Sequence, residues 1–208
     1  MRVLIACEYS GAVRDAFIAM GHEAMSCDLL PTDAPGPHYQ GDVLDVINDG
    51  WDLMIAHPPC TFLCGSGLHW NNRGRGWQGT HDALEFFKVL LDAPIPHIAI
   101  ENPIGIASTR IRPADQTIQP WEYGHPESKA TQLWLKNLPL LRPTNVLQLP
   151  EIGHWENQTA SKQNKLAPSK DRWKLRSATY PGIAQAMAQQ WGKGDAHSLP
   201  LQHQLCFA

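Results

Sequence analysis

Two short stretches of this chain could do chemistry. In "IAHPPCTFLCGSG" (55–67), two prolines precede Cys60 at the end of an apolar run. In "HIAIENP" (97–103), a second apolar run ends on Glu101 and Asn102 before Pro103. Pro58 and Pro59 fix two backbone dihedrals and so restrict where the Cys60 thiol points. A thiol attacks well only once deprotonated from an ordinary pKa of about 8.5, which a nearby cation or dipole can bring about. Glu101 is placed to hold or exchange a proton with a substrate. Two other readings of Cys60 stand beside the nucleophile. His57, Cys60, Cys64 and His69 could ligate zinc, or the thiol could be a small buried apolar group.

The chain must position these residues. "RVLIAC" (2–7), "HEAMSCDLL" (22–30), "DLMIAHPP" (52–59) and "HIAIENP" read as strands buried on both faces. The run 41–46, "GDVLDV", is short and counts as the third strand in order. Helical spacing occupies 10–21 (Val13, Phe17, Met20), with Ser10 as cap and Gly21 as terminator. It recurs over 81–93 (Leu84, Phe87, Leu91) and 181–191 (Ile183, Met187, Trp191). "ATQLWLKN" and "TNVLQLP" read as later strands. Alternating strand and helix predicts an α/β fold with a mainly parallel sheet. In such a sheet, ligands bind beyond the carboxyl ends of the strands. That rule selects Glu8-Tyr9-Ser10-Gly11, Asp28, His57 to Cys60, and Glu101-Asn102. Asp28 could accept from ribose hydroxyls and Asp42 from an adenine amine, or both could simply cap turns.

The 208 residues allow one sizeable core, 43% of them hydrophobic. No apolar run approaches the roughly 20 residues that span a bilayer. The start, "MRVLIACEYSG", reads as a strand and not as a signal peptide. Five cysteines without a framework predict a reducing, cytoplasmic setting. Net charge is -3, yet between Lys129 and Arg176 nine basic residues face three acidic ones. That local excess suits a polyanion, or is a solvated surface. Residues 61–80, with Trp70, Trp77, Arg73 and Arg75, show no period and read as a long, functional or disordered loop.

Taken together, these stretches resemble the DNA cytosine carbon-5 methyltransferases over nearly the whole chain. "IACEYSGAVRDAFIAMGHEAMSCD" is similar to the family's first strand, glycine turn, helix and second acidic strand end. "GDV" resembles its Gly-Asp-Ile, "HPPC" its Gly-Pro-Pro-Cys, "ENP" its Glu-Asn-Val, and "YPGIAQAMAQQW" its terminal motif. Cys7 stands where the family has an aromatic residue, and Thr61 where glutamine usually follows the cysteine. "ESKATQLWL" offers only Lys129 in place of two arginines, and the target-recognition region shrinks to about 143–175.

The resemblance implies a Rossmann-like methyltransferase fold using S-adenosyl-L-methionine. It implies Cys60, Glu101 and Lys129 as catalytic residues. Cys7, Glu8, Tyr9, Gly11, Asp28, Leu29, Asp42, Val43, Pro58 and Tyr180 would hold the cofactor. Arg73, Arg75, Lys162, Lys165, Lys170 and Arg172 would meet DNA carrying a flipped cytosine. Residues 1–142 would form the catalytic core, 143–175 a reduced recognition segment, 176–194 a returning helix and 195–208 a flexible tail. No metal and no membrane are implied, and a monomer is expected. The small recognition region resembles that of phage-borne modification enzymes. An RNA or free-nucleotide cytosine methyltransferase, or an inactive binding homologue, are the other readings.

Overall fold

The computed structural model describes residues 1–161, 165–166, 169–170, 174 and 177–193. Seven strands form one sheet: β1 (Arg2–Ala6), β2 (Glu23–Asp28), β3 (His38–Gln40), β4 (Leu53–Ala56), β5 (His97–Pro103), β6 (Gln116–Ile118) and β7 (Thr131–Lys136). Their order is β3-β2-β1-β4-β5-β7-β6. The first five are parallel, whereas β7 runs antiparallel to both β5 and β6. The helices are α1 (Ala12–Ala19), α2 (Gly65–Leu68), α3 (Gln78–Leu91), α4 (Ala107–Arg110) and α5 (Pro181–Trp191). This is an α/β, Rossmann-like architecture, as the alternating pattern predicts.

The central strands are apolar on both sides because each face carries its own core. Val3, Ile5, Leu53, Ile55 and Ala99 pack with Val13 and Phe17 of α1 and with Ile183, Met187 and Trp191 of α5. Leu4, Ala6, Met54, Ala56, Ile98 and Ile100 pack with Phe87 and Leu90 of α3 and with Trp134. Alternation along each strand decides the face. It also decides on which side of the sheet each residue just past a strand end emerges.

Three expectations need correction. Residues 41–46 are not a strand. Asp42 Oδ1 accepts from Leu44 N at 3.0 Å and caps a 3-10 turn over Val43–Asp45. The third strand is His38–Gln40, a short edge element within the turn-rich stretch, paired to Ser26–Asp28. "TNVLQLP" is not a strand either. Val146 and Leu149 are exposed, and β6 occupies the edge of β7. Met20, grouped with Val13 and Phe17 by spacing, is 47% exposed because α1 ends before it.

Residues 61–80 are ordered into α2 and a 3-10 turn at Asn71–Arg73. Buried Asn71 donates to Thr80 Oγ1 at 2.8 Å, and Thr80 donates to Phe62 O at 2.9 Å. Within the expected recognition segment, Trp155 stacks on Trp121 with centroids 5.8 Å apart. The expected tail, 195–208, lies outside the described residues.

Helix α1 provides a stability test. Phe17→Ala removes a fully buried ring and is expected to cost about 3–5 kcal/mol in denaturant unfolding. Met20→Ala should stay within about 0.5 kcal/mol of wild type.

Candidate functional site

The site lies at the carboxyl edge of the sheet and divides into two sides. On the β4–β5 side, parallel pairing of Ala56 with Ile100 brings both strand ends to the same edge. Buried Asn102 Nδ2 donates to Pro58 O at 2.8 Å, which locks the loop that carries Cys60. Beyond it, Cys60 O accepts from Leu63 N and Cys64 N at 3.0 and 2.9 Å. Leu63 O in turn accepts from Ile106 N at 2.8 Å. A Cβ on Gly105 would stand 2.1 Å from Leu63 O, so glycine is required for the two loops to meet.

Cys60, Glu101 and Lys129 lie close enough to act on one another's charge. The Glu101 carboxylate accepts from His57 Nδ1 at 3.0 Å and from the Thr131 hydroxyl. Burial pushes the Glu101 carboxyl up. The His57 and Thr131 hydrogen bonds and the His57 and Lys129 charges outweigh burial and leave it below its ordinary range. Cys60 is pushed the other way. Its hydrogen bond with Cys64 is the main cause, then burial, then the Cys64 and Glu101 charges, with Lys129 opposing them. The thiol is therefore protonated at neutral pH. Glu101, Lys129, Thr131, Thr179 and Tyr180 line one small cleft. Lys129 Nζ lies 5.7 Å from the centre of the Tyr180 ring, whose hydroxyl donates to Glu127 Oε2 at 2.5 Å. Tyr180 thus stands with Glu101 and Lys129.

The second side gathers the ends of β1 and β2. Cys7 adopts a left-handed φ of 57°, which redirects the chain as β1 ends. Burial, with the Asp28 charge next, raises its thiol pKa. Glu8, only 5% exposed, accepts through Oε1 from Ser10 Oγ at 2.7 Å and from Val13 N at 3.0 Å. It thereby caps α1 from outside the helix, while Gly11, at φ 78°, occupies the N-cap position expected of Ser10. Ser10 Oγ still accepts from Ala12 N at 3.2 Å. Asp28 Oδ1 accepts from Leu30 N at 2.9 Å, and burial raises its pKa. Both aspartates cap turns, and Asp42 is tied up in its own.

Leu29 is 73% exposed at the end of β2, whereas Val43 packs into the core. Tyr9 is buried, with its hydroxyl 2.9 Å from Ser177 Oγ. Fully buried Arg14 holds the loop after β2 through Ser26 Oγ, Thr32 Oγ1, Ala34 O and Pro35 O.

Arg73 and Arg75 lie outside both sides, in the 61–80 segment. Arg73 is exposed. Arg75 donates to Asn71 Oδ1 and Gly67 O and lies 4.4 Å over the Phe62 ring, so it organises its own loop. Lys165 and Lys170 are exposed, and Lys162 and Arg172 fall outside the described residues. Among the described residues no three His, Cys, Asp or Glu side chains, His57, Cys60, Cys64 and His69 included, converge as metal ligands. No described helix is long and apolar enough to cross a membrane. A surface groove lies across α3, lined by Leu44, Glu85, Lys88 and Val89.

Sequence reasoning did not assign His57, Thr131, Asn102 and Arg14 these roles. His57 and Asn102 flank the two motifs directly, and their polar side chains at buried strand ends were the available signal. Thr131 and Arg14 carried no local mark.

A protein encoded within an E. coli prophage, described as a DNA modification methyltransferase, superposes with a TM-score of 0.46 at 14% identity. The match covers 71% of this chain and 52% of that one. A triple mutant of Spodoptera frugiperda DNMT2 gives 0.40 at 15% identity, over 80% of this chain and 60% of that one. The chain thus spans less than two thirds of either protein's length. No protein-family model and no curated protein matches it.

Two measurements test this geometry. Cys64→Ala removes the main cause of the raised Cys60 pKa, so alkylation of Cys60 at pH 8 should quicken several-fold by mass spectrometry. Glu101 is held low in the fold. Its contribution to stability is therefore full above the ordinary glutamate pKa of about 4.3 and lost as pH falls through the lowered value. Glu101→Gln should flatten the acid side of the stability-against-pH curve.

Proposed function

We propose that this chain transfers a methyl group from S-adenosylmethionine to carbon 5 of cytosine in DNA. The observation that carries this reading is the meeting of the Cys60 thiol, Glu101 and Lys129 where β5 runs on past the end of β4. A thiol aimed by two prolines, beside a carboxylate and a cation, suits addition to an electron-poor ring.

Cofactor fit rests on the other side. A Cβ on Gly11 would stand 2.5 Å from the Arg14 guanidinium, so the turn admits a close approach only with glycine. Glu8 Oε2 is buried there without a hydrogen-bond partner, as suits a polar or cationic ligand. Glu8, Gly11, Asp28 and Leu29 would hold the cofactor, which supplies an electrophilic methyl group when bound.

The remaining steps belong to the chain. Cys60 Sγ, once deprotonated, adds to carbon 6 of cytosine, and the ring's electron density moves to carbon 5. Entry of the base displaces the Cys64 contact that holds the thiol protonated, and Lys129 favours the thiolate. The thiol proton passes to Glu101, whose carboxyl then donates to ring nitrogen 3 and accepts from the exocyclic amine, steadying the charge that addition places on the ring. Once carbon 5 carries the methyl group, loss of its proton to a water molecule expels the thiolate and restores the ring. The base must leave the duplex stack, at a cost of a few kcal/mol. Exposed Trp70, Trp77 and Arg73 are suited to the opened strand. Lys165 and Lys170, with Lys162 and Arg172, are suited to its phosphates.

The test is incorporation of a labelled methyl group from the donor into duplex DNA, with bisulfite sequencing to locate it. Cys60→Ser should fall to background, and Glu101→Gln by about 10²–10³-fold. Equal incorporation by Cys60→Ser overturns the covalent route. Methylation of tRNA or dCMP in preference to duplex DNA overturns the DNA assignment.

A further inference from the structure

Glu8 and His57 follow the ends of β1 and β4, and Glu101 lies in the adjacent strand β5, one residue past its pairing with β4. All three emerge on the face that packs against α1. His57 continues the alternation of Leu53 and Ile55, and Glu101 that of Ala99, whose neighbours form the α1–α5 core. Glu8 reaches the same side by accepting from Val13 N at the start of α1. Across this row, Glu101 engages His57 Nδ1 at 3.0 Å. The two remaining atoms, His57 Nε2 and Glu8 Oε2, are buried and have no hydrogen-bond partner. The His57 side chain is 9% exposed and Glu8 is 5% exposed. Leaving two such atoms unpaired is costly, so each implies a partner.

The chemistry of that partner follows from counting hydrogens. An ionised carboxylate only accepts, so Glu101 requires the hydrogen of His57 to sit on Nδ1. With the ring in its neutral form Nε2 is then an acceptor, as is a Glu8 carboxylate oxygen. Two buried acceptors on one row, one of them charged, call for a donor with at least two hydrogens and a positive charge.

We infer that Glu8 and His57 form a subsite for a protonated primary amine. On the function proposed above, on which this inference rests, the amine is that of the methyl donor's amino-acid portion. The resemblance carries no counterpart to the imidazole, because its motif has glycine where this chain has His57. His57 then has a second consequence. It touches the amine through one nitrogen and Glu101 through the other, so cofactor occupancy is felt at the base-side carboxylate.

The test uses two nucleosides with the full chain, followed by calorimetry. S-adenosylhomocysteine carries the amine, and 5′-methylthioadenosine lacks the whole amino-acid portion. Glu8→Gln keeps an oxygen for the α1 cap and should weaken S-adenosylhomocysteine about 10- to 100-fold while leaving 5′-methylthioadenosine unchanged. His57→Phe, which keeps the ring volume, should change affinity in the same selective sense. In wild type labelled with ¹⁵N-histidine, S-adenosylhomocysteine should shift the His57 nitrogen resonances and 5′-methylthioadenosine should not. Unchanged S-adenosylhomocysteine affinity in Glu8→Gln, or equal loss of both nucleosides, overturns the subsite and leaves the proposed function standing. Should Glu8→Gln not fold, the wild-type resonances decide. Failure of wild type to bind either nucleoside overturns the proposed function, and the subsite with it.

Discussion

One buried hydrogen bond, from Asn102 Nδ2 to Pro58 O, governs the geometry of the reactive edge. It joins residues 44 positions apart that end neighbouring parallel strands. The prolines alone stiffen the chain on either side of the bond, but they do not say where the stiff piece sits. Asn102 does, because its amide is fixed by the strand that carries Glu101. The thiol of Cys60 and the carboxylate of Glu101 are therefore positioned by one element. The close approach at Gly105, against Leu63 O, repeats the constraint one turn further on.

Electrostatics then separates two acidic and thiol groups that share the edge. Glu101 is surrounded by donors and a cation, which overcome its burial and hold it ionised. Cys60 shares a hydrogen bond with a second thiol and faces that carboxylate, so it holds its proton. The resting site is thus a carboxylate beside a neutral thiol, and Lys129 is the group that favours the anion at both. The chain just before α5 spans both sides of the edge. Ser177 meets Tyr9 past β1, and Tyr180 lies beside Lys129 on the cleft with Glu101. The shared core of Phe17, Ile183, Met187 and Trp191 holds α5 in place to do this.

Much of this fold was legible in the residues. Strands buried on both faces carry continuous apolar runs, so β1, β2, β4 and β5 declared themselves, as did α1, α3 and α5. Strands β3 and β6 did not. Each has three residues and exists because a longer strand offers it a free edge. The same competition for an edge explains why "TNVLQLP", with apolar residues enough for a strand, stays outside the sheet. Arg14 is the clearest miss. On a helical pattern a charged residue reads as solvent-facing, yet it is fully buried because four oxygens of a distant loop and strand converge on it.

By itself, the sequence determined the α/β class, the strand ends that carry chemistry, and the stiffness around Cys60. These depend on local propensity and on periodicity, which neighbouring residues set. Only the tertiary structure decided which groups surround each reactive atom. It placed His57 and Thr131 on Glu101, Cys64 against Cys60, and Tyr180 in one cleft with Glu101 and Lys129, and it left Glu8 Oε2 and His57 Nε2 buried without partners. The physical reason is that solvation and hydrogen-bond partners come from residues far apart in sequence. They are set by strand order and by the side of the sheet on which each strand end emerges.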